Sequence, residues 1–244
     1  MKVQNLRYHF LLVIIIFASL TVILVTNSIT QPPPQINSND ITNHESIFHP
    51  YMINGSSSPI FFNDVYKTNQ NSVGVNSVYD SNGNLIVVGY TRGTNLSTKN
   101  AYQSSLKGIN YDIFLSKYNV QGALIWSTYF GGSGNDIPMD IVVNTANNDI
   151  YITGWTASSD FPLKNPKNSS LQGVTDAFLS SFSSDGSLIY STYWSSSIGD
   201  NDECYGLAIN NDNSELAVVG KTVINARSDE ILLKFDTVNK VFLS

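Results

Sequence analysis

One sequence pattern occurs three times in this 244-residue chain, at a spacing of about 65 residues. Each copy is an apolar run, a polar turn and a second apolar run that ends in Gly-x-Thr. A further pair of apolar runs, rich in aromatic residues, follows each copy. The first pattern lies at residues 74–91, 139–156 and 205–222, and the second at residues 111–130, 175–194 and 228–244. Self-similarity at a fixed period is typical of repeat proteins.

Each repeat supplies four short strands. The runs are rich in β-branched and aromatic residues, and Asn82-Gly83 and Asp185-Gly186 fall at turns, where both residue types tolerate a positive φ. No helical periodicity occurs beyond the amino-terminal segment. In the second repeat we predict strands over residues 141–143, 150–154, 177–182 and 188–193. The predicted fold is all-β, a partial β-propeller of about three four-stranded blades, with units near residues 74–136, 139–202 and 205–244.

Three blades are fewer than the four to eight with which propellers close. The third unit reaches Ser244 inside its fourth strand, and residues 60–66 add at most one strand upstream. Open repeat arrays expose an apolar face at each end unless they are capped. We therefore expect residues 59–244 to form an arc that is completed by further blades in a longer chain or by self-association. Further blades are the expectation we favour, because nothing caps the carboxyl end.

The first 28 residues carry an export signal. Two basic residues precede an uncharged apolar run, which predicts a hydrophobic helix that is either a cleaved signal peptide or a retained anchor. Residues 8–26 are long enough to enter a membrane as a single span, and the small-x-small cleavage pattern is poor, so we favour the anchor. The Pro-, Asn- and Ser-rich residues 29–58 predict a disordered spacer. The repeats would then lie outside the cell, anchored to the cell membrane or secreted.

Three stretches of the chain, residues 111–136, 149–162 and 175–194, resemble the SBBP β-propeller repeat family, which is named for seven-bladed propellers. The resemblance extends over roughly residues 74–244. The matching residues are Asp112, Phe114, Lys117, Gly122, Trp126 to Tyr129, Gly131, Gly132, Thr153, Gly154, Thr156, Ser159, Asp160, Phe161 and Pro162. The third unit departs from the pattern, because no Asp-Phe-Pro follows Thr222 and its middle connection is about eleven residues shorter. The resemblance implies a surface or secreted propeller without a catalytic signature of its own.

Composition and charge exclude several classes of function. Charged residues make up only 13% of the chain, and the net charge is −6. A nucleic-acid-binding protein would carry a basic patch, and the repeats have none, so no nucleic-acid partner is predicted. Cys204 is the single cysteine. This excludes an internal disulfide, and the apolar surroundings predict a half-buried structural side chain rather than a reactive thiol.

The residues of common catalytic and metal sites are missing from the repeats. All three histidines (His9, His44 and His49) precede Tyr51, so the repeats lack the base of a Ser-His-Asp site and the ligands of His-rich metal sites. Four aspartates occupy turns, where Asp binds its own backbone, and none has the spacing of a calcium loop. These are Asp80, Asp149, Asp185 and Asp212. We therefore predict no catalytic residue, cofactor or metal.

One enzymatic alternative stays open, a glycosidase-like pair of carboxylates in the connections between strands. The candidates are Asp136, Asp160, Asp200, Asp202 and Glu203. Several of them occupy equivalent places in different units, which favours a structural role. The tryptophans at positions 126, 155 and 194 are interpreted as core residues, and Gly131-Gly132-Ser133-Gly134 as a flexible link rather than a phosphate-binding loop. Sequons make Asn54, Asn95 and Asn168 candidate glycan acceptors.

These observations favour a membrane-anchored or secreted repeat protein that binds an unknown surface protein or glycan without catalysis. Such a module would serve in adhesion or as a scaffold. A carbohydrate-active hydrolase with a carboxylate pair on the blade loops and a structural cell-envelope repeat are the two alternatives.

Overall fold

A computed structural model describes residues 71–224 and 227–243, and every regular element in this part of the chain is a β-strand. The strands are β1 (Ser72–Tyr79), β2 (Leu85–Thr91), β3 (Asp112–Tyr118), β4 (Leu124–Phe130), β5 (Asp136–Val143), β6 (Ile150–Thr156), β7 (Asp176–Phe182), β8 (Leu188–Trp194), β9 (Asn201–Ile209), β10 (Glu215–Ile224), β11 (Arg227–Asp236) and β12 (Val241–Leu243). They form three four-stranded antiparallel sheets, with β1–β4 in sheet 1, β5–β8 in sheet 2 and β9–β12 in sheet 3. Within residues 71–224 and 227–243, the prediction of an all-β fold with three four-stranded units is confirmed.

Several predictions fall on residues outside the described part. They concern the hydrophobic helix in residues 1–28, the spacer at residues 29–58 and the extra strand at residues 60–66. Within residues 71–224 and 227–243, no helix has the length and apolar content of a membrane span.

The glycine of the Gly-x-Thr pattern is required by a bulge in the first strand of each sheet. The register between β5 and β6 shifts between Pro138 and Asp140, opposite Gly154. A Cβ atom at Gly154 would lie 2.0 Å from the carbonyl oxygen of Ile137, and one at Gly220 would lie 2.1 Å from that of Glu203. Only glycine permits this close approach of two backbones. The repeated glycine therefore marks equivalent places in the sheets.

An apolar layer joins sheet 1 to sheet 2, a contact called junction 1–2 below. Alternate residues of β2 and β6, among them Ile86 and Ile152, are fully buried in it. At its outer end the rings of Phe130 and Phe182 meet edge to face with centroids 4.9 Å apart. Burying one such ring contributes about 1.5–3 kcal/mol of stability, and the edge-to-face contact adds to this.

A smaller apolar layer joins sheet 2 to sheet 3, a contact called junction 2–3 below. It divides into two clusters. One cluster contains Tyr151, Leu179, Tyr190, Leu216 and Phe235, and the other contains Ala177, Cys204, Val218 and Ile231. Strand β5 contacts both β1 and β9, so sheet 2 lies between the other two sheets.

Long connections cover the outer edges of sheets 1 and 2, and no such connection covers sheet 3 in the part of the chain that the structure describes. Lys99 and Gln103 form bridges to β4, and Lys164 and Asn168 form the equivalent bridges to β8. Unpaired edge strands promote aggregation, so this cover protects both sheets. In sheet 3, six residues (223–228) separate the paired Thr222 and Asp229. The equivalent pairs are separated by twenty residues in sheet 1 (Thr91 and Asp112) and by nineteen in sheet 2 (Thr156 and Asp176). The connection is thus thirteen or fourteen residues shorter rather than eleven, because β10 and β11 continue as a hairpin.

Candidate functional site

The Gly131-Gly132-Ser133-Gly134 loop between β4 and β5 is held in place by side chains. The Gly132 N–H donates to Asp136 Oδ2 at 2.7 Å, and the Ser133 N–H donates to Asp160 Oδ1 at 2.7 Å. A Cβ atom at Gly132 would lie 2.4 Å from Asp160 Oδ1, so this approach needs glycine. Successive backbone N–H groups in such a turn can bind an anion. Here the carboxylates of Asp136 and Asp160 accept these hydrogen bonds. The loop links sheets 1 and 2, as predicted, and these hydrogen bonds hold it in one conformation in the structure.

Two buried aspartates, Asp112 and Asp136, flank this loop. A Cβ atom at Gly131 would lie 2.5 Å from Asp136 Oδ2 and 2.9 Å from Asp112 Cγ. Asp136 accepts hydrogen bonds from the hydroxyls of Thr156 and Ser158 in addition to the Gly132 N–H. Asp112 Oδ2 accepts from Gln103 Nε2 at 2.8 Å, whereas its Oδ1 is buried and has no partner among the described residues.

Burial changes the protonation of this pair. Burial raises the pKa of Asp112, hydrogen bonds from Lys107 and Gln103 lower it and the negative charge of Asp136 raises it, and together these effects bring it to about 7. Burial also raises the pKa of Asp136 to about 6, and the hydrogen bonds from Thr156, Gly132 and Ser158 offset only part of this effect. Two neighbouring buried carboxylates resist ionising together. The pair therefore titrates close to neutral pH.

The carboxylates proposed for a hydrolase do not form one exposed cleft. Asp136, Asp202 and Glu203 lie within β5 and β9 rather than in connections, which corrects their predicted location, while Asp160 and Asp200 do lie in connections. Asp136 and Asp202 are fully buried. They occupy equivalent places, since Asp136 pairs with Thr156 and Asp202 with Thr222. Asp202 also accepts a hydrogen bond from the Ser196 N–H of the preceding loop at 3.3 Å. This equivalence supports their structural interpretation.

Three of the four turn aspartates, Asp80, Asp185 and Asp212, accept hydrogen bonds from the backbone of their own turns, as predicted, whereas the Asp149 carboxylate accepts from the Asn147 side chain and pairs with Lys240. Asp80 Oδ1 accepts from the N–H groups of Asn82 and Asn84 at 2.9 Å each, and Asp212 Oδ1 accepts from the Ser214 N–H at 3.0 Å. Asp80 also forms a buried ion pair with Lys117 at 2.9 Å. Burial alone would raise the pKa of Asp80, but hydrogen bonds from Asn84 and Lys117 outweigh it and lower the pKa. Among the described residues, no cluster of three or more His, Cys, Asp or Glu side chains is placed to bind a metal.

The tryptophans, Cys204 and the sequon asparagines, which the sequence also pointed to, lie in the core or at the surface. Trp126 is buried, and its Nε1 donates to the Ser184 carbonyl at 3.0 Å, whereas Trp155 and Trp194 are half-buried. Cys204 is fully rather than half buried, and burial raises the pKa of its thiol to about 12, which suppresses reactivity. Of the sequon residues, Asn95 is exposed, Asn168 is half-buried beside β8, and Asn54 lies outside the described residues.

A tyrosine hydroxyl in sheets 1 and 2 fastens the connection that follows the Gly-x-Thr pattern. The Tyr129 hydroxyl donates to the Gly93 carbonyl at 2.7 Å and accepts from the Leu96 N–H at 3.0 Å. The Tyr193 hydroxyl donates to the Ser158 carbonyl at 2.6 Å and accepts from the Phe161 N–H at 3.1 Å. This role was not predicted, although Ser-Thr-Tyr recurs at both places in the sequence.

The face of sheet 3 that points away from sheet 2 is exposed, and we call it the sheet-3 outer face. Val219 and Leu232 lie at its centre and are 41% and 69% exposed. The corresponding residues of sheet 2, Thr153 and Leu179, are buried beneath sheet 3. Around this centre lie two ion pairs, Lys221–Glu203 at 3.5 Å and Lys234–Glu215 at 2.8 Å. The outer face is thus apolar at its centre and carries both charge signs at its periphery.

Comparison with known proteins agrees with this repeat geometry. The profile of the SBBP β-propeller repeat matches residues 125–162, which extend from β4 through the glycine-rich loop, β5 and β6 to Pro162. The matched segment therefore crosses junction 1–2 and includes the Asp136 and Asp160 anchors of the loop. No curated protein sequence matches the chain. Residues 125–162 are therefore similar to the SBBP β-propeller repeat, which confirms the resemblance predicted from the sequence for this segment.

Proposed function

We propose that this protein is a non-catalytic binding and scaffold module outside the cell, built as an arc of three propeller blades. The amino-terminal apolar segment would anchor it in the membrane or direct its secretion. One observation carries the proposal: the sheet-3 outer face is exposed, although the equivalent faces of sheets 1 and 2 are interfaces. Propellers and open repeat arrays cover such faces with a further unit.

The sequence favoured a further blade over a second copy as the occupant of this face, but the charges of both signs around the face lead us to propose the same face of a second copy. A two-fold axis brings a surface patch against itself, so the patch must be self-complementary. The apolar centre at Val219 and Leu232 suits such a contact, and the lysines and glutamates around it can pair across the axis. A scaffold of two copies would present the remaining surfaces of both to a cell-surface protein or glycan.

Molar mass measurement by light scattering, on the full chain in detergent, tests this contact. We expect a concentration-dependent dimer that Leu232→Asp converts to a monomer, because a charge at the centre of the contact would be buried. Val174→Asp is the matched control, since Val174 is 75% exposed and lies in the connection before β7, and it should leave the dimer intact. A chain that stays monomeric at all concentrations, or a Leu232→Asp variant that still dimerises, would contradict the contact.

The binding role itself is tested at the cell surface. Affinity capture from intact cells should recover a surface protein or glycan above control. Recovery of nothing, together with hydrolysis in a glycan screen, would favour the carbohydrate-active hydrolase instead. Self-assembly into extended sheets without a soluble ligand would favour the structural envelope repeat. The buried, hydrogen-bonded state of Asp136 supports the non-catalytic role over the hydrolase.

A further inference from the structure

The two ends of the three sheets differ in how their strands are connected. We call the end at which Ser72 begins β1 and pairs with Thr91 the entry end, and the end with the tight turns, such as the one at Asp80, the turn end. The long connections before β3 and β7 lie at the entry end, because Thr91 pairs with Asp112 at that end of sheet 1. The chain that follows the amino-terminal apolar segment therefore reaches the blades at the entry end.

The entry ends of neighbouring sheets contact each other. Asn110, in the connection before β3, donates through Nδ2 to the Ser133 carbonyl of the loop between β4 and β5 at 2.8 Å. The Gly199 N–H, in the loop between β8 and β9, donates to the Gln172 carbonyl of the connection before β7 at 3.0 Å. Each of these connections thus contacts the loop that leads to the following sheet. Their tips therefore share one end of the arc.

Three of these tips each present one exposed aliphatic side chain. Ile109 is 87% exposed, Val174 is 75% exposed and Ile198 is 84% exposed. Each lies next to a glycine in the chain, and none has a charged residue as its immediate neighbour. Single exposed aliphatic residues are ordinary on a protein surface, but three on loop tips at one end mark an interaction surface. Because the side chains project singly, this surface suits a soft apolar partner better than a compact ligand.

The turn end also has an exposed aliphatic residue, but an ionised aspartate lies beside it. Val238 is 75% exposed, as Val174 is, and its N–H donates to Asp236 Oδ1 at 2.8 Å. Hydrogen bonds from Asn239 lower the pKa of Asp236, so this carboxylate stays charged. Asp185, in another turn, is exposed as well. A carboxylate loses its hydration when it enters lipid, so the entry end suits a lipid surface better than the turn end does.

The exposed charges of the entry end have both signs. Lys107 pairs with Asp160 at 3.8 Å, and the β10–β11 hairpin carries Arg227, Asp229 and Glu230. Attraction to anionic lipid is therefore weak, and insertion of the apolar tips has to provide the binding. A tether makes a weak contact sufficient, because residues 27–71 join the predicted membrane span to β1 and docking becomes an event within one molecule.

We propose that the entry end docks on the surface of the lipid bilayer, with Ile109, Val174 and Ile198 inserted among the lipid headgroups. The proposal rests on the membrane-anchored form of the proposed function and adds an orientation to it. The turn end then points away from the membrane. The sheet-3 outer face stays accessible at the side of the arc, since a sheet face extends between its two ends.

Fluorescence quenching on the full chain in phosphatidylcholine vesicles tests this docking. Cys204 is buried, and burial raises the pKa of its thiol to about 12, so a thiol-reactive nitrobenzoxadiazole dye labels only an introduced cysteine. The labelled variants are Ile109→Cys, Val174→Cys and Ile198→Cys, and Val238→Cys at the turn end is the matched control. We expect spin-labelled lipid to quench the dye at the three tips and not at position 238.

A charge at one tip should release the entry end. In chains labelled at position 109, Ile198→Asp should lower the ratio of docked to undocked protein about tenfold or more, because one aliphatic side chain no longer enters the lipid. Val238→Asp makes the same change at the turn end and should leave the quenching unchanged. Addition of phosphatidylglycerol to the vesicles should also leave it unchanged, since the tips are uncharged.

Flotation of the same vesicles measures the anchor separately. A chain that floats with its vesicles while its tips stay unquenched would overturn the docking and leave the anchored binding module in place. Equal quenching at position 238, or an Ile198→Asp variant that is quenched like the parent, would also overturn the docking. A chain that does not float would overturn the anchor and the docking together.

Discussion

Junctions 1–2 and 2–3 join equivalent faces of neighbouring sheets but fill them differently. Both have the same pair of hydrogen bonds between the turns of neighbouring sheets, which we call the turn tie. Ser81 donates through its N–H and hydroxyl to Asn148 Oδ1 at 2.9 and 2.8 Å, and Thr145 donates likewise to Asn213 Oδ1 at 3.0 and 3.3 Å. Both acceptor asparagines have a positive φ, which asparagine tolerates better than most residues. The repeat therefore preserves the contacts that set the spacing of the sheets.

The side chains between the turns are where the junctions diverge. Within sheet 1, buried Lys117 pairs with Asp80 and also donates to the Ser184 carbonyl of sheet 2 at 3.0 Å. The equivalent residue of sheet 2, Ser181, is too short for this, and its buried hydroxyl has no partner among the described residues. Lys240 of sheet 3 reaches back to Asp149 instead. A repeat can therefore place the lysine of an ion pair on the other side of an interface, where the pair is only partly buried.

The largest expected effect comes from the buried lysine of junction 1–2. Lys117→Met should destabilise the protein by about 3–5 kcal/mol, because Asp80 would be left as a buried charge without its partner. Lys240→Met should cost only about 1 kcal/mol, since its ammonium and Asp149 are partly exposed. Denaturant unfolding measures both. The double variant Lys117→Met, Asp80→Asn should recover part of the loss, and equal costs for the two lysines would refute this contrast.

Next come the fully buried aromatic residues of the two cores. Phe182→Ala should cost towards the upper end of about 3–5 kcal/mol, because the ring contacts Phe130 and Tyr102 in a closed layer. Phe235→Ala should cost towards the lower end, because the layer around it is smaller and adjoins a pocket beside Tyr190, which allows collapse. Comparison of the free energies of unfolding decides this. A larger loss for Phe235→Ala would mean that junction 2–3 is the more tightly packed one.

The pH dependence of stability should reflect Asp112 and, over the lower part of the same range, its neighbour Asp136, whose pKa is raised to about 6. The pKa of Asp112 in the folded protein, about 7, lies above the ordinary value of 3.8, so the folded state binds the proton more tightly. Stability from this group is therefore full below about pH 4 and is lost as the pH rises to about 7, with a slope of at most about 1.4 kcal/mol per pH unit. Asp112→Asn should flatten this slope and stabilise the protein above pH 7. Unfolding measured across pH 4–8 tests it.

Asp185→Asn is the control for this titration. The hydrogen bond from Ser183 lowers the pKa of Asp185, so its contribution has the opposite sign and is lost as the pH falls through the acidic range. Its replacement should leave the slope between pH 5 and 7 unchanged. An Asp112→Asn variant with the parent slope would show that another group is responsible.

The smallest expected loss of stability comes from breaking the turn tie, the hydrogen bonds that Ser81 and Thr145 donate to the turn of the next sheet. Ser81→Ala and Thr145→Ala should each cost about 0.5–1 kcal/mol, because each retains the backbone N–H bond and loses only one exposed hydroxyl bond. Similar losses at both junctions, seen in thermal unfolding, would support the view that this tie is common to them. A cost at one junction only would break the equivalence.

Much of the fold could be predicted because its signals are local. Alternation of apolar residues, tight-turn pairs such as Asp185-Gly186 and the repeated Gly-x-Thr mark the strands within a few residues of themselves. The proximity of Asp112 and Asp136 was not predictable in this way, because the glycine-rich loop brings them together across 24 residues of chain. The pocket depends on Tyr190 and Lys240, which are fifty residues apart and meet only when sheet 3 packs on sheet 2.

From the sequence alone came the all-β character, the three units, the SBBP resemblance and the structural use of the turn aspartates. Each of these depends on residues that act on their immediate neighbours in the chain. The tertiary structure alone decided which carboxylates are buried together, which lysine neutralises which aspartate and where the packing leaves a pocket. These properties depend on the volume and charge of side chains that face each other across a junction, and the order of residues along one strand does not specify them.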